Sequence, residues 1–154
     1  MHELAHAELP QFGFSLLTQL GDTSTLVTLL LLTALVLGFS GKGRLAALWV
    51  ALVAIGGSMN PLLKALFGRL RPEHTHTVVS YPGLSFPSGH AQFSFLVYVM
   101  LTYLIVRYAT RAWHLPVMLL GSVFVCSIGF SRVILQVHYF SDVLAGWAFS
   151  LAWV

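Results

Sequence analysis

The chain has 154 residues, of which 57% are hydrophobic and only 8% charged, with a formal net charge of +3. Soluble domains carry roughly a quarter charged residues, so this composition excludes a water-soluble globule and makes the lipid bilayer the expected solvent. The length allows a single domain, and the one cysteine, Cys126, excludes an internal disulfide. No nucleic-acid partner is expected, and the sequence carries no sign of oligomeric state.

The first residues, MHELAHAELPQFGFSLLTQLGD, open with acids instead of a basic patch and offer no small-residue cleavage site, which argues against a signal peptide. Phe12, Phe14, Leu16, Leu17 and Leu20 predict an amphipathic lead-in over residues 1–22 that lies on the membrane. The rest, 23–154, reads as one transmembrane domain. A helical span needs roughly 20 residues, and apolar runs predict spans over 23–39, 45–63, 91–106 and 115–130. A fifth begins near Tyr139 and is still apolar at Val154, where the chain stops, so this last span is expected to be incomplete. Runs such as LVTLLLLTALVL do not alternate in polarity, which excludes barrel strands. The fold class is therefore all-α, a polytopic transmembrane bundle with about five visible spans. Gly56, Gly57 and Pro61 predict a kink in the second span, and Tyr81, Tyr98, Tyr103, Trp113 and Trp147 read as belt or packing residues.

Alternating spans place Lys42, Arg44, Arg107 and Arg111 on one side and Lys64, Arg69, Arg71 and Arg132 on the other, together with Glu3, Glu8, Asp22, Glu73 and Asp142. The tight basic turns SGKGR and RYATR resemble cytoplasmic loops, which puts the second side outside the cell.

That second side gathers the unusual polar residues. Lys64 and Arg71 lie two helical turns apart, predicting one shared face as the second span emerges, with Pro72 ending the helix. Pro87, Ser88, Gly89 and His90 open the third span, where Ser88 is a candidate N-cap and the free amides form an anion site. Arg132 closes the fourth span, and His138 and Asp142, four apart, predict a shared face at the start of the fifth. Four helix ends thus converge on a phosphate-binding surface. Arg69, His74 and His76 read as solvated or headgroup-contacting side chains.

The segments KALFGRLRP, PSGH and SRVILQVHYFSD fit the patterns K-x6-RP, PSGH and SR-x5-H-x3-D, in that order. The chain here resembles the type 2 phosphatidic acid phosphatase superfamily of integral-membrane lipid phosphate phosphatases. The resemblance covers about half the chain with no departure at a motif position, although the family usually has six spans. It implies that Lys64, Arg71 and Arg132 hold phosphoryl oxygens, with Ser88 and the Gly89 amide adding hydrogen bonds. His138 would be the nucleophile that forms a phosphohistidine, Asp142 its orienting carboxylate, and His90 the general acid. No metal and no cofactor are implied. The implied substrate is a membrane lipid bearing a phosphomonoester or diphosphate. Short loops resemble bacterial members, which makes undecaprenyl diphosphate the first expectation, then phosphatidylglycerophosphate or phosphatidate, at a bacterial inner membrane with the site facing the periplasm.

Three other readings compete with this one. A lipid phosphotransferase would use the same site. HELAH, from His2 to His6, matches the zinc signature H-E-x-x-H but sits at a chain terminus with no third ligand in a fixed place. A transporter or scaffold would carry its charges near the bilayer midplane, whereas these lie at helix ends.

Overall fold

The computed structural model describes residues 13–72 and 83–154. The HELAH segment and Phe12, Glu73, His74, His76 and Tyr81 fall outside the described residues. Among the described residues six α-helices follow one another: α1 (Gly13–Gln19), α2 (Thr23–Phe39), α3 (Gly43–Phe67), α4 (Gly89–Tyr108), α5 (His114–Ile134) and α6 (Phe140–Trp153). A single 3-10 turn, Arg111–Trp113, leads into α5. Among the described residues there is no strand, only an isolated bridge between Leu70 and Leu84.

Every predicted span is a helix. α3, α4 and α5 with its leading turn are long and apolar enough to cross a membrane, and α1 with α2, bent by 42°, makes a fourth such unit. The predicted lead-in is thus a separate short helix at its described end. At 14 residues, α6 is shorter than the roughly 20 that a bilayer requires.

Helix α4 is the centre of the bundle and packs against α2, α3, α5 and α6. Leu96, Val97 and Tyr98 on α4 meet Leu26 and Leu30 of α2, Trp49 and Val53 of α3, and Val125 and Ile128 of α5 in one core. The outer faces are equally apolar: Leu31, Leu32, Leu35, Leu48, Leu62, Leu119 and Leu151 are all exposed. Helices that are apolar all round suit a lipid surround, which solvates those outer faces. Hydroxyls within the spans are satisfied locally, as Thr28 and Thr33 donate to the carbonyls of Ser24 and Leu29 one turn back.

The small residues of α3 serve close packing. A Cβ on Gly57 would lie 1.8 Å from the Phe93 ring, and one on Gly56 would lie 2.7 Å from Trp153. Both glycines are thus held against other helices, and α3 continues through Pro61 to Phe67. Its end differs from expectation. Gly68, at φ 60°, takes the left-handed conformation and its N–H bonds back to Lys64 O, so the helix stops four residues before Pro72.

Two ends of the bundle result. At one end lie the α2–α3 turn and the α4–α5 turn, joined where Lys42 Nζ sits 3.5 Å from the Tyr108 ring centroid. At the other end the C-termini of α3 and α5 meet the N-termini of α4 and α6. Here α6 approaches α4 so closely that a Cβ on Gly146 would lie 2.8 Å from Ser88 O and 3.0 Å from Gln92 N. Both are backbone atoms, so Gly146→Ala must separate two helix ends, and overpacking of this kind costs about 1–3 kcal/mol. Gly38 in α2 has open space around its Cβ position, so Gly38→Ala should be neutral or slightly stabilising through helix propensity. Thermal unfolding in detergent checks the pair: Gly146→Ala is expected to lower the midpoint and Gly38→Ala is not.

Candidate active site

Helix α5 ends at Ile134, and Gln136 takes a positive φ of 56° that turns the chain sharply. The N–H groups of Val137 and His138 then both donate to Arg132 O, at 3.1 and 3.2 Å. The turn delivers His138 to the start of α6. Asp142 occupies the first turn of α6 and is completely buried. Its Oδ2 accepts the Tyr139 N–H at 2.9 Å, as a capping carboxylate does, and lies 3.3 Å from His138 Nδ1. Nδ1 is thereby occupied and Nε2 is left for other chemistry. His138 precedes α6, so the expected shared helix face is corrected: a turn and a cap bring the pair together.

A second partner of Asp142 escaped the sequence reading. Arg69 Nη1 lies 3.0 Å from Asp142 Oδ1 and 2.7 Å from Ser141 Oγ, while its guanidinium covers the Tyr139 ring at 4.1 Å. Arg69 was expected to be a surface charge, and it is in fact an ion-pair partner of the buried carboxylate. A cation close to two motif cations, on the side that also holds Asp142, was the available signal.

The three motif cations converge from different elements. Lys64, in the last turn of α3, donates to Leu84 O at 2.5 Å. Arg71 lies past the helix, in the extended stretch after Gly68, and its Nη1 donates to Val137 O at 3.3 Å. The expected common face of one helix is therefore wrong, yet the backbone beyond Gly68 folds Arg71 toward the same place. Arg132, in the last turn of α5 and buried, donates to Thr18 Oγ1 at 2.7 Å. All three charges act on His138.

At the start of α4, Ser88 is fully buried and caps the helix, its Oγ accepting the Ala91 N–H at 3.5 Å. Its own N–H donates to Asp142 O at 2.9 Å, which ties this turn to α6. The Ser88 hydroxyl therefore lies in the same first turn of α4 as the amides of Gly89 and His90. The first-turn amides of Gly89 and His90 lie beyond the reach of an intrahelical carbonyl. Beneath them Asn60 Nδ2 donates to Pro87 O at 3.3 Å and to Gln92 Oε1 at 2.8 Å, and Gln92 Nε2 donates to Gly56 O at 2.9 Å. Polar side chains inside apolar spans carry a functional signal, and Asn60 and Gln92 were missed. His90 Nε2 lies 2.9 Å from Asp22 Oδ1, a carboxylate assigned no role from sequence. Among the described residues, no group of three His, Cys, Asp or Glu side chains is placed to hold a metal ion.

The electrostatics give His138 a definite protonation state. Burial, then the charges of Arg71, Arg132, Lys64 and His90, push its pKa down from 6.5 to about 2. Its imidazole is neutral at physiological pH, the form that carries a lone pair. The sign for stability follows: an unfolded histidine takes up a proton below about 6.5 and the folded one does not, so acid favours unfolding through this group. In the ligand-free protein, the His138 ring signals in an NMR titration should stay flat between about pH 8 and about pH 5, where an ordinary histidine titrates. A midpoint near the ordinary value would place the cations farther from the ring.

The PAP2 superfamily model matches residues 26–154. Phosphatidylglycerophosphatase B of Bacillus subtilis is 30% identical over 143 residues, covering 88% of this chain and 67% of that protein. A lipid A 1-phosphatase of Rhizobium johnstonii is 30% identical over 167 residues, covering 90% of this chain and 62% of that one. The chain therefore spans roughly two thirds of the length of these curated relatives. Among solved structures, that of a transmembrane PAP2-type phosphatidylglycerolphosphate phosphatase from Bacillus subtilis superposes with a TM-score of 0.86 at 27% identity, over 94% of this chain and 73% of that one. The motif cations, the two histidines and the carboxylate all fall within the matched region, so this chain belongs to the PAP2 superfamily as a metal-independent lipid phosphatase.

Proposed function

We propose that this enzyme hydrolyses the phosphomonoester of a membrane lipid, releasing phosphate, through a phosphohistidine at His138. One observation carries the reading: the neutral imidazole has Nδ1 set against buried Asp142 while three cations and a second histidine surround it. Lys64, Arg71 and Arg132 hold the phosphoryl oxygens, and the amides at Gly89 and His90 add donors as charge develops. The Ser88 hydroxyl, in the same turn, adds a further hydrogen bond to the phosphoryl group. Nε2 of His138 attacks phosphorus as the bond to the lipid oxygen breaks, and Asp142 stabilises the positive ring that results. His90 protonates the departing oxygen, then accepts a proton from the water that hydrolyses the P–N bond.

Phosphatidylglycerophosphate is the substrate this reading favours, because a curated relative and the superposing structure both carry that substrate in their names. Lipid A stands next, from the rhizobial relative. Undecaprenyl diphosphate, the first expectation from sequence, has no such support. The site faces the outside of a bacterial inner membrane, a reading that rests on the basic turns around Lys42, Arg44, Arg107 and Arg111 at the opposite end. Phosphate release from purified lipids in mixed micelles tests the substrate, with phosphatidylglycerophosphate expected to turn over fastest. Faster turnover of the diphosphate would restore the earlier order.

The two histidines have distinguishable tasks. A lipid alkoxide leaves poorly without a proton, whereas a nitrophenolate leaves readily. General acid catalysis is worth roughly 10²- to 10⁴-fold, so His90→Ala should lose about that much on the lipid and far less on nitrophenyl phosphate. His138→Ala should abolish turnover of both. Rescue of His138→Ala, and not of His90→Ala, by the better leaving group would exchange the roles. Orientation is checked by Leu70→Cys and Gly43→Cys in a Cys126→Ala background. An impermeant thiol reagent added to intact cells should label the first alone, and the reverse pattern would place the site in the cytoplasm.

A further inference from the structure

The elbow between α1 and α2 lies ahead of the family-matched region, which begins at residue 26, yet it is fastened to the site at four points. Thr18 Oγ1 receives Arg132 Nη1 at 2.7 Å, and Leu20 O receives the Tyr98 hydroxyl at 2.9 Å. A Cβ on Gly21 would lie 2.5 Å from Ile128 and 3.2 Å from the His90 ring, so the elbow backbone packs directly on that ring. Asp22 Oδ1 lies 2.9 Å from His90 Nε2. Asp22 occupies the N-cap position of α2, where an aspartate ordinarily caps its own helix, but its side chain makes no cap hydrogen bond. Its carboxylate is directed across the elbow to a residue 68 positions away.

We infer that Asp22 is the positioning residue of the general acid His90: by accepting the Nε2 proton it fixes the ring and leaves Nδ1 to deliver a proton to the lipid oxygen. The inference rests on the proposed acid role of His90. In the first half-reaction, the electron pair of the P–O bond stays with the lipid oxygen, which takes the Nδ1 proton and leaves as an alcohol, while His138 Nε2 bonds to phosphorus. In the second, Nδ1 accepts a proton from water as its oxygen bonds to phosphorus and the P–N bond breaks. Nε2 keeps its proton on Asp22 throughout. The groups that bear on His90 are the cations Arg71 and Arg132, from the segment after α3 and from α5, and Asp22 from the elbow. Asp22 is the one anion of the three, and it offsets their repulsion of the imidazolium that donates. Asp142 performs the matching task for His138, on the opposite ring nitrogen.

The test is the leaving-group dependence of Asp22→Asn, with Asp22→Glu and His90→Ala beside it. Asparagine keeps the size but loses the charge and can present an amide donor to Nε2. Turnover of a lipid monoester is expected to fall about 10- to 100-fold, part of the roughly 10²- to 10⁴-fold worth of the acid, with a much smaller loss on nitrophenyl phosphate. Asp22→Glu is expected to recover part of the lipid activity. The double variant Asp22→Asn/His90→Ala should be no worse than His90→Ala alone, because a residue acting through another adds nothing once that other is gone. Equal losses on both substrates, or additive losses in the double variant, would make Asp22 a purely structural contact and overturn the inference. A lack of leaving-group dependence in His90→Ala itself would instead overturn the acid role on which the inference rests.

Discussion

A fully buried carboxylate holds this structure together. Asp142 has no solvent exposure, and a charge removed from water must be matched by donors and cations or the fold cannot keep it ionised. The matching groups come from three places: the Tyr139 N–H, Arg69 from the segment after α3, and His138 Nδ1. Its backbone oxygen adds a fourth link by accepting the Ser88 N–H. One residue thus binds the start of α6 to the segment after α3 and to the first turn of α4, and it orients the proposed nucleophile. Geometry and chemistry are coupled here, because loss of the carboxylate would release Arg69 and the Tyr139 cap while it freed the imidazole.

Among the described residues the charge balance at this end is positive, with Lys64, Arg69, Arg71 and Arg132 facing the carboxylates Asp22 and Asp142. Asp142 is paired with Arg69, whose side chain is 40% exposed, so Lys64, Arg71 and Arg132 retain charge that Asp142 does not fully offset. In the proposed mechanism their mutual repulsion, acting through a partly buried medium, is relieved when a phosphate dianion enters. The same repulsion keeps His138 neutral before the substrate arrives. Binding and activation in the proposed mechanism therefore have one electrostatic origin. The anion that relieves the repulsion also reduces the penalty on the positive ring formed during attack.

The sequence made the spans and the motif residues legible because both depend on simple contrasts. An apolar run of bilayer length stands out, and polar residues at its ends stand out against it. The terminators were less legible. Pro72 looked like the end of α3, but Gly68 ends it first, since a glycine costs little in the left-handed region and its N–H closes the turn on Lys64 O. Arg69 was hidden by its neighbours, because a cation at a helix end ordinarily reaches for headgroups and only the fold reveals a buried carboxylate within range. The close approach of Gly56 to Trp153 and of Gly57 to Phe93 depends on other helices and cannot be read along α3. Close packing between helices leaves no periodic trace in a single strand of sequence.

The two histidines show where local pattern stops carrying information. His138 and its carboxylate are four residues apart, so their pairing could be proposed from spacing alone. His90 and Asp22 are 68 residues apart and meet only because a 42° bend between α1 and α2 lays the elbow across the end of the bundle. That bend is stabilised by groups that read as unremarkable in sequence: a threonine hydroxyl, a backbone carbonyl and a glycine packed on Ile128. The bilayer makes such contacts consequential. A polar side chain at a helix end there has either headgroups or another polar side chain for company, and burial by the elbow removes the first option for Arg132 and restricts it for His90. The segment that first reads as a membrane anchor therefore also contributes, through Thr18 and Asp22, to the polar shell around Arg132 and His90.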